Sequence, residues 1–276
     1  MYQVCTRPRL KSLTVVCNQS TVQRNQISTM ARSRKRHLQQ ELTWRTHGGK
    51  REGAGRPPNG PKAGMPHARR PAHTRSHPLH VTIRVASDIG SLRKRDMFLA
   101  IREASIVTAM REDFRIVHLS VQGTHLHLLV EADSKSAITR GMRGFQISAA
   151  RQINAVMTAR TGKLRTGAVF PDRYHSRALT SPRAVRHALA YVLNNWRRHR
   201  EDRDDRARTW AVDPFSSGVM FPGWREREGM PTLFRPPRTY LGVVTWLPRT
   251  WLLRTGWTRH GLVSTHEVPG PEHARR

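Results

Sequence analysis

Two stretches of this sequence carry side chains that could do chemistry together. The first is "THLHLLVEAD", residues 124–133, where His125 and His127 stand one residue apart within an apolar run. In an extended strand side chains alternate, so His125 and His127 share one face while Leu126 and Leu128 pack into the other. Their Cα atoms are then roughly 6.5–7 Å apart, a span over which two imidazoles can converge on one divalent ion. The second stretch is "TSPRAVRHALAYVLNNWRRHR", in which Asn195 follows Tyr191 at i+4. On a helix that spacing projects both side chains from one flank, one turn from each other. Two neutral imidazoles and an amide oxygen leave open positions on a divalent ion for phosphate oxygen. A phenol beside them could attack phosphorus and form a covalent phosphotyrosyl intermediate. Because a phenol is a weak nucleophile at its usual pKa of about 10, such a site must also favour the phenolate or the transition state. The competing reading is plain packing: histidines on the wet face of a strand, a tyrosine at the core rim and an asparagine on the surface.

The surrounding pattern supplies elements to position these groups. In "HPLHVTIRVA", Leu79, Val81, Ile83 and Val85 alternate with polar residues, the period of a half-buried strand. "SLRKRDMFLAIREASIVTAMRED" follows as a helix, with Met97, Ile101, Ala104 and Val107 at helical spacing behind a Ser91 cap. "FRIVHLSVQG" and the histidine strand flank Gly123 as a hairpin. A second helix, "SKSAITRGMRGFQISAARQINAVMTAR", carries Ile138, Met142, Phe145, Ala149, Ile153 and Val156 on one face. "GAVFPDRYHSRAL" holds a short strand that leads into the tyrosine helix. There Ser181 caps, Pro182 takes the first helical position, and Val185, Leu189, Val192 and Trp196 form a buried stripe. The order β-α-β-β-α-β-α predicts an α+β, ferredoxin-like split βαβ fold with an antiparallel sheet. Helices on one face of such a sheet would leave the other face free for a site.

Charge points to the partner. The chain has 276 residues with 49 Lys+Arg against 19 Asp+Glu, a formal net charge of +30. Such a field attracts polyanions, nucleic acid above all, with an affinity that falls steeply as salt rises. An apolar content of 37% is low for this length and predicts a modest core with polar flanks. Residues 1–74, basic and broken by turn formers as in "HGGKREGAGRPPNGPKAGMPHARRP", are expected to form a disordered arm. Residues 75–220 are expected to form the catalytic domain, and 221–276 an irregular Trp/Pro-rich extension. Met30 is an alternative start. Cys5 and Cys17 lie outside any expected core, which excludes a disulfide framework and a cysteine zinc site. No run approaches the roughly 20 apolar residues of a membrane span, and the expectation is a cytoplasmic, nucleoid-associated protein.

His125-Leu126-His127 is similar to the His-hydrophobe-His motif of the HUH endonuclease superfamily. Tyr191 with Asn195 resembles the "Y-[IV]-x-x-N" helix of its single-tyrosine transposases, especially the REP-associated tyrosine transposases. "WAVDPFSSG", residues 210–218, resembles the Trp…Ser-Ser stretch that follows the tyrosine helix in these proteins. The likeness spans roughly residues 75–220. It implies that His125, His127 and Asn195 hold a divalent cation, Mg²⁺ or Mn²⁺, and that Tyr191 is the nucleophile. It also implies cleavage of single-stranded DNA with the tyrosine joined to the 5′ phosphate, on hairpins such as REP-like palindromes, by a monomer or homodimer. The family often has Asn-Pro where this chain has Asn195-Trp196 and a second amide at Asn194; the i+4 spacing favours Asn195.

Several residues compete for roles. Tyr174, in "PDRYHSRAL", has no amide at i+4 and reads as a packing or backbone-contacting residue, with Arg173 and Arg177 beside it as phosphate clamps. His175 is an alternative third ligand, while His80 and His118, on other strands, are expected to be solvated or hydrogen-bonded. Three other functions fit some of these residues. One is a zinc hydrolase using His125, His127 and His175 with Glu131 as base. Another is a non-catalytic DNA-binding descendant of a transposase. The third is a replication initiator or relaxase, against which the short chain and the lack of a helicase motif count.

Overall fold

The alternating segments become β1 (Leu79–Arg84), β2 (Phe114–Val121), β3 (His125–Ala132) and β4 (His175–Ala178). They form one sheet in the order β2-β3-β1-β4, with every neighbouring pair antiparallel. Helices α1 (Arg95–Ala109), α2 (Lys135–Thr161) and α3 (Pro182–Arg198) connect and follow the strands, giving the split βαβ frame of an α+β fold. The computed structural model describes residues 72–203, 207–229 and 232–270. Nearly all of the expected arm, the two cysteines and the alternative start at Met30 lie outside the described residues.

One face of the sheet carries the first core. Val81 and Ile83 of β1 and Leu126 and Leu128 of β3 pack against Met97 and Ile101 of α1 and Met142 and Phe145 of α2. Helix α2 starts where Ser134 Oγ accepts a hydrogen bond from Ala137 N at 3.1 Å. It stops at Gly162, whose φ of 66° is a left-handed conformation that glycine adopts without a Cβ clash. Close packing of α2 on β2 depends on Gly141, where a Cβ would lie 2.2 Å from Phe114 Cγ. A register shift between Ile116 and His118 lets Ile116 and Leu119, three residues apart, face the same core, while Val117 joins the opposite one.

Helix α1 differs from expectation at both ends. It begins at Arg95 with Lys94 at the N-cap and no side-chain cap; Ser91 Oγ instead accepts from Arg93 N at 3.3 Å. Val107 is 55% exposed, and Thr108 takes the buried place. The step from Ala104 to Thr108 stays on the buried face, and the Thr108 hydroxyl is satisfied by donating to Ser105 O at 2.8 Å.

The second face is not open. The stripe of α3 (Val185, Leu189, Val192) packs on Val117 of β2 and Leu129 of β3. An amphipathic helix must bury its stripe, and this face of the sheet is what covers it. The stretch after residue 220 completes the layer. It forms a short helix, α4 (Trp251–Arg254), and a 3-10 turn at Gly256–His260, and it buries Trp224, Leu253 and Trp257 in the same cluster. These two indoles are satisfied: Trp224 Nε1 donates to Gly218 O at 2.7 Å and Trp257 Nε1 to Leu253 O at 3.1 Å. Segment 210–218 is tied to the start of α1 by a two-pronged ion pair, with both Arg93–Asp213 hydrogen bonds at 2.9 Å. No helix among the described residues is long and apolar enough to cross a membrane.

Candidate active site

Alternation along β3 puts His125, His127, Leu129 and Glu131 on the face that α3 covers. The two imidazoles stand 4.7 Å apart between ring centroids at 89°. Helix α3 lays Tyr191 against them, its ring 5.1 Å from that of His127 at 86°. These three residues line a cavity of about 580 Å³, with Arg84 of β1 and Arg198 and His199 at the end of α3 at its margin. The Arg198 guanidinium lies 5.9 Å from the centre of the Tyr191 ring. Cationic walls around a phenol and two imidazoles suit a phosphodiester.

The electrostatics keep both histidines neutral. Burial pushes the His127 imidazole down to about 2, with the neighbouring His80, His125 and His199 adding to it. His125 is pushed down to about 4, again by burial first and then by His199 and Arg84. A neutral imidazole is the form that binds a metal. His127 Nδ1 lies 3.2 Å from both His80 Nε2 and Thr82 Oγ1, whereas its Nε2 is buried and has no hydrogen-bond partner among the described residues.

The two adjacent amides differ at nitrogen, while the side-chain oxygen of each is buried with no hydrogen-bond partner among the described residues. Asn194 Nδ2 donates to Ser264 O at 2.9 Å and so ties α3 to the C-terminal segment. Asn195 is wholly buried, one turn beyond Tyr191, and neither its Oδ1 nor its Nδ2 has a hydrogen-bond partner among the described residues. It does not line the cavity itself. Each buried polar atom left unmade costs about 1–3 kcal/mol, so the orphaned Nε2 of His127 and carboxamide of Asn195 are what an absent ligand would satisfy. Among the described residues no group of three or more His, Cys, Asp or Glu is placed to hold a metal ion. A third protein donor would therefore have to be of another kind, and an amide oxygen is one. Two imidazoles and a carboxamide oxygen fit a divalent cation of the Mg²⁺ or Mn²⁺ type with positions left open.

Other candidates fall elsewhere. Arg177 is exposed on β4, in register with His80, and its charge adds to the burial that pushes His80 down to about 4. Arg173 lines a different cavity, of about 660 Å³, between α2 and the loop that precedes β4. Tyr174 packs in the first core, on the side of the sheet away from the histidines. His175 is exposed on the edge strand β4. The Glu131 carboxylate accepts from Arg249 N, Thr250 N and Thr250 Oγ1 at 2.7–2.9 Å, so it anchors the start of α4 and has no free edge to act as a base. Among the described residues His125, His127 and His175 do not form a metal-holding group, and Glu131 is engaged, so the arrangement expected of a zinc hydrolase is not assembled there. His118 is half-buried, its Nδ1 3.1 Å from Ser217 Oγ. Sequence reasoning passed over Thr82, Arg84, Arg198 and His199. A signal for them exists: Thr82 and Arg84 pair in register with His127 and His125, and His199 follows Asn195 at the same i+4 step that links Asn195 to Tyr191.

A four-stranded antiparallel sheet bearing a His-hydrophobe-His pair under a tyrosine helix is the arrangement that the resemblance to single-tyrosine HUH proteins implies. Residues 75–195 match the family described as transposase, IS200-like. Among solved structures the chain is similar to a REP-associated tyrosine transposase solved bound to a REP hairpin. That likeness has 19% identity and a TM-score of 0.40, and it covers 66% of this chain and 95% of that one. It is also similar to a candidate transposase from Deinococcus radiodurans R1, with 15% identity and a TM-score of 0.31, over 50% of this chain and 97% of that one. No curated protein matches.

Proposed function

We propose that this chain nicks and rejoins single-stranded DNA through a covalent bond to Tyr191. The observation that carries the reading is the apposition of Tyr191 to His127 and His125 in one cation-walled cavity. The Tyr191 oxygen attacks the phosphorus of a phosphodiester, an O–P bond forms, and the P–O3′ bond breaks. The phenolic proton is lost and the departing O3′ takes up a proton, leaving a 3′ hydroxyl on one side and a 5′-phosphotyrosine on the other. Attack on that linkage by another 3′ hydroxyl reverses the step and joins strands. Arg84 and Arg198 hold the phosphate, and Arg177 extends the cationic surface along β4.

His125 and His127, with the Asn195 carboxamide, would hold the Mg²⁺ or Mn²⁺ that the family implies. Such an ion polarises the phosphodiester and orients it toward the phenol. The resemblance to REP-associated transposases extends the substrate to hairpins formed by short palindromes, and the charge of +30 supports a nucleic-acid partner.

The test is covalent capture. Incubated with hairpin DNA and Mg²⁺ or Mn²⁺, the protein should yield a DNA-linked peptide containing Tyr191, mapped by mass spectrometry. Tyr191→Phe keeps the ring and its packing but loses the adduct. An adduct at Tyr174, or cleaved ends with no adduct under trapping conditions, would refute the assignment. Hairpin binding without cleavage under any divalent ion would favour the non-catalytic descendant.

A further inference from the structure

We propose that His80, together with Thr82, is a positioning residue that accepts the Nδ1–H of His127 and so leaves the Nε2 lone pair of His127 bare for a cation. The inference rests on the metal-holding role given to His127 above and adds the group that fixes its tautomer. A neutral imidazole has one N–H and one lone pair, and the partner of one nitrogen decides the chemistry of the other. Here Nδ1 has two possible acceptors, His80 Nε2 and Thr82 Oγ1, each at 3.2 Å. Nε2 is buried and has none among the described residues. A proton on Nε2 would be a buried donor with no acceptor, and orphaned buried N–H groups are rare and costly. A proton on Nδ1 is satisfied at once, and the Nε2 lone pair is then left bare for a ligand.

The fold makes this contact a fixed one. Antiparallel pairing sets Thr82 opposite His127, and His80 lies diagonally from it on the same face. The His80 ring sits 5.3 Å from the His127 ring and 5.5 Å from the Tyr191 ring. One side chain therefore buttresses both the imidazole and the phenol, and accepting at Nε2 places its own proton on Nδ1. Partners of this kind, one step out from the metal, typically alter metal affinity by 10–100-fold.

Two measurements on the full chain test the proposal. In ¹⁵N–¹H spectra of histidine-labelled, metal-free protein at neutral pH, His127 should be the Nδ1–H tautomer; an Nε2–H tautomer overturns the proposal without any mutation. Mn²⁺ binding, read from the free Mn²⁺ electron paramagnetic resonance signal with no DNA present, gives the second. His80→Leu should weaken Mn²⁺ binding at least about tenfold, while His80→Gln, whose amide oxygen can accept the same proton, should recover most of it. A loss that Gln fails to recover would mark His80 as packing alone and overturn the proposal. If His127→Ala abolishes Mn²⁺ binding but His80→Leu binds as wild type, the metal site stands and this proposal falls. If His127→Ala binds Mn²⁺ as wild type, the metal reading falls and takes this proposal with it.

Discussion

The ring of Tyr191 meets the ring of His127 edge-on, at 5.1 Å and 86°. One residue comes from the centre of the sheet and the other from a helix added after the split βαβ unit is complete. Their contact exists because the apolar stripe of α3 must be buried and the histidine face of the sheet is where it packs. The same packing that stabilises the second layer therefore assembles the site, and predictions about chemistry and stability meet at these residues.

Metal dependence should reside in the histidine pair. A His125→Ala/His127→Ala double variant should lose divalent-ion-stimulated nicking by at least about a hundredfold, the scale expected for loss of catalytic electrostatics. Binding of hairpin DNA in EDTA should persist, since phosphate contacts carry it. Cleavage that proceeds equally in EDTA, or equally in the double variant, would refute the pair as ligands.

The neighbouring amides should behave oppositely. Asn194→Ala breaks the bond to Ser264 O and should cost about 1 kcal/mol of stability. It should leave Mn²⁺ affinity alone. Asn195→Ala removes a buried amide that has no partner, so the chain should fold with little loss while Mn²⁺ affinity drops. Urea unfolding and Mn²⁺ titration on the two variants check this, and the reverse pattern would move the third ligand to Asn194.

Acid should weaken the fold well above the carboxylate range. Burial pushes His80, His118 and His125 down to about 4 and His127 to about 2, below the 6.5 of an unfolded histidine. Their contribution to stability is complete above pH 6.5, where folded and unfolded chains are both neutral at these sites. As pH falls below 6.5 the unfolded chain binds protons that the folded chain refuses, so stability declines down to the folded values. Asp88, Asp96 and Asp113 are held below the usual 3.8 chiefly by arginine partners, so their loss comes only at lower pH. The thermal midpoint should fall steadily from pH 6.5 to 4.5; a flat profile there would contradict neutral burial.

The Arg93–Asp213 pair should be the most costly ion pair to break. Asp213 is fully buried and Arg93 nearly so, and Arg93 also donates to Val121 O at 3.0 Å. Asp213→Ala leaves the largely buried Arg93 guanidinium with only Val121 O and the longer contact to Glu201 at 3.6 Å, and should destabilise by about 3 kcal/mol. Urea unfolding measures it, and a loss under 1 kcal/mol would show that water reaches Arg93.

The basic segment before residue 72 should supply affinity, not chemistry. Its deletion should weaken hairpin binding and flatten the dependence of affinity on salt while leaving nicking intact at saturating DNA. Titrations at several salt concentrations decide this. An unchanged salt slope would show the segment to be inert.

Alternation and helical spacing, both local properties, are legible in a linear string. They were sufficient for β1, β3, α2 and α3, for the Ser181 cap, and for the shared face of His125 and His127. The i+4 step placed Asn195 beside Tyr191, and the resemblance of both motifs pointed to the transposase family. Local pattern misplaced the start of α1: Ser91 is the only good capping residue nearby, but three residues (Leu92, Arg93 and Lys94) separate it from the helix proper, and its hydroxyl serves a turn at Arg93 instead. What depended on distant residues was decided only by the fold. The second face of the sheet is closed because α3 and residues 221–263 bury apolar surface on it, and no periodicity within β3 reports what will cover it. His80 reaches His127 because β1 pairs antiparallel to β3 in one register, and Glu131 is consumed by the turn at Thr250, more than a hundred residues away. Hydrogen-bond partners across strands and layers are set by register and packing, which a one-dimensional pattern does not contain.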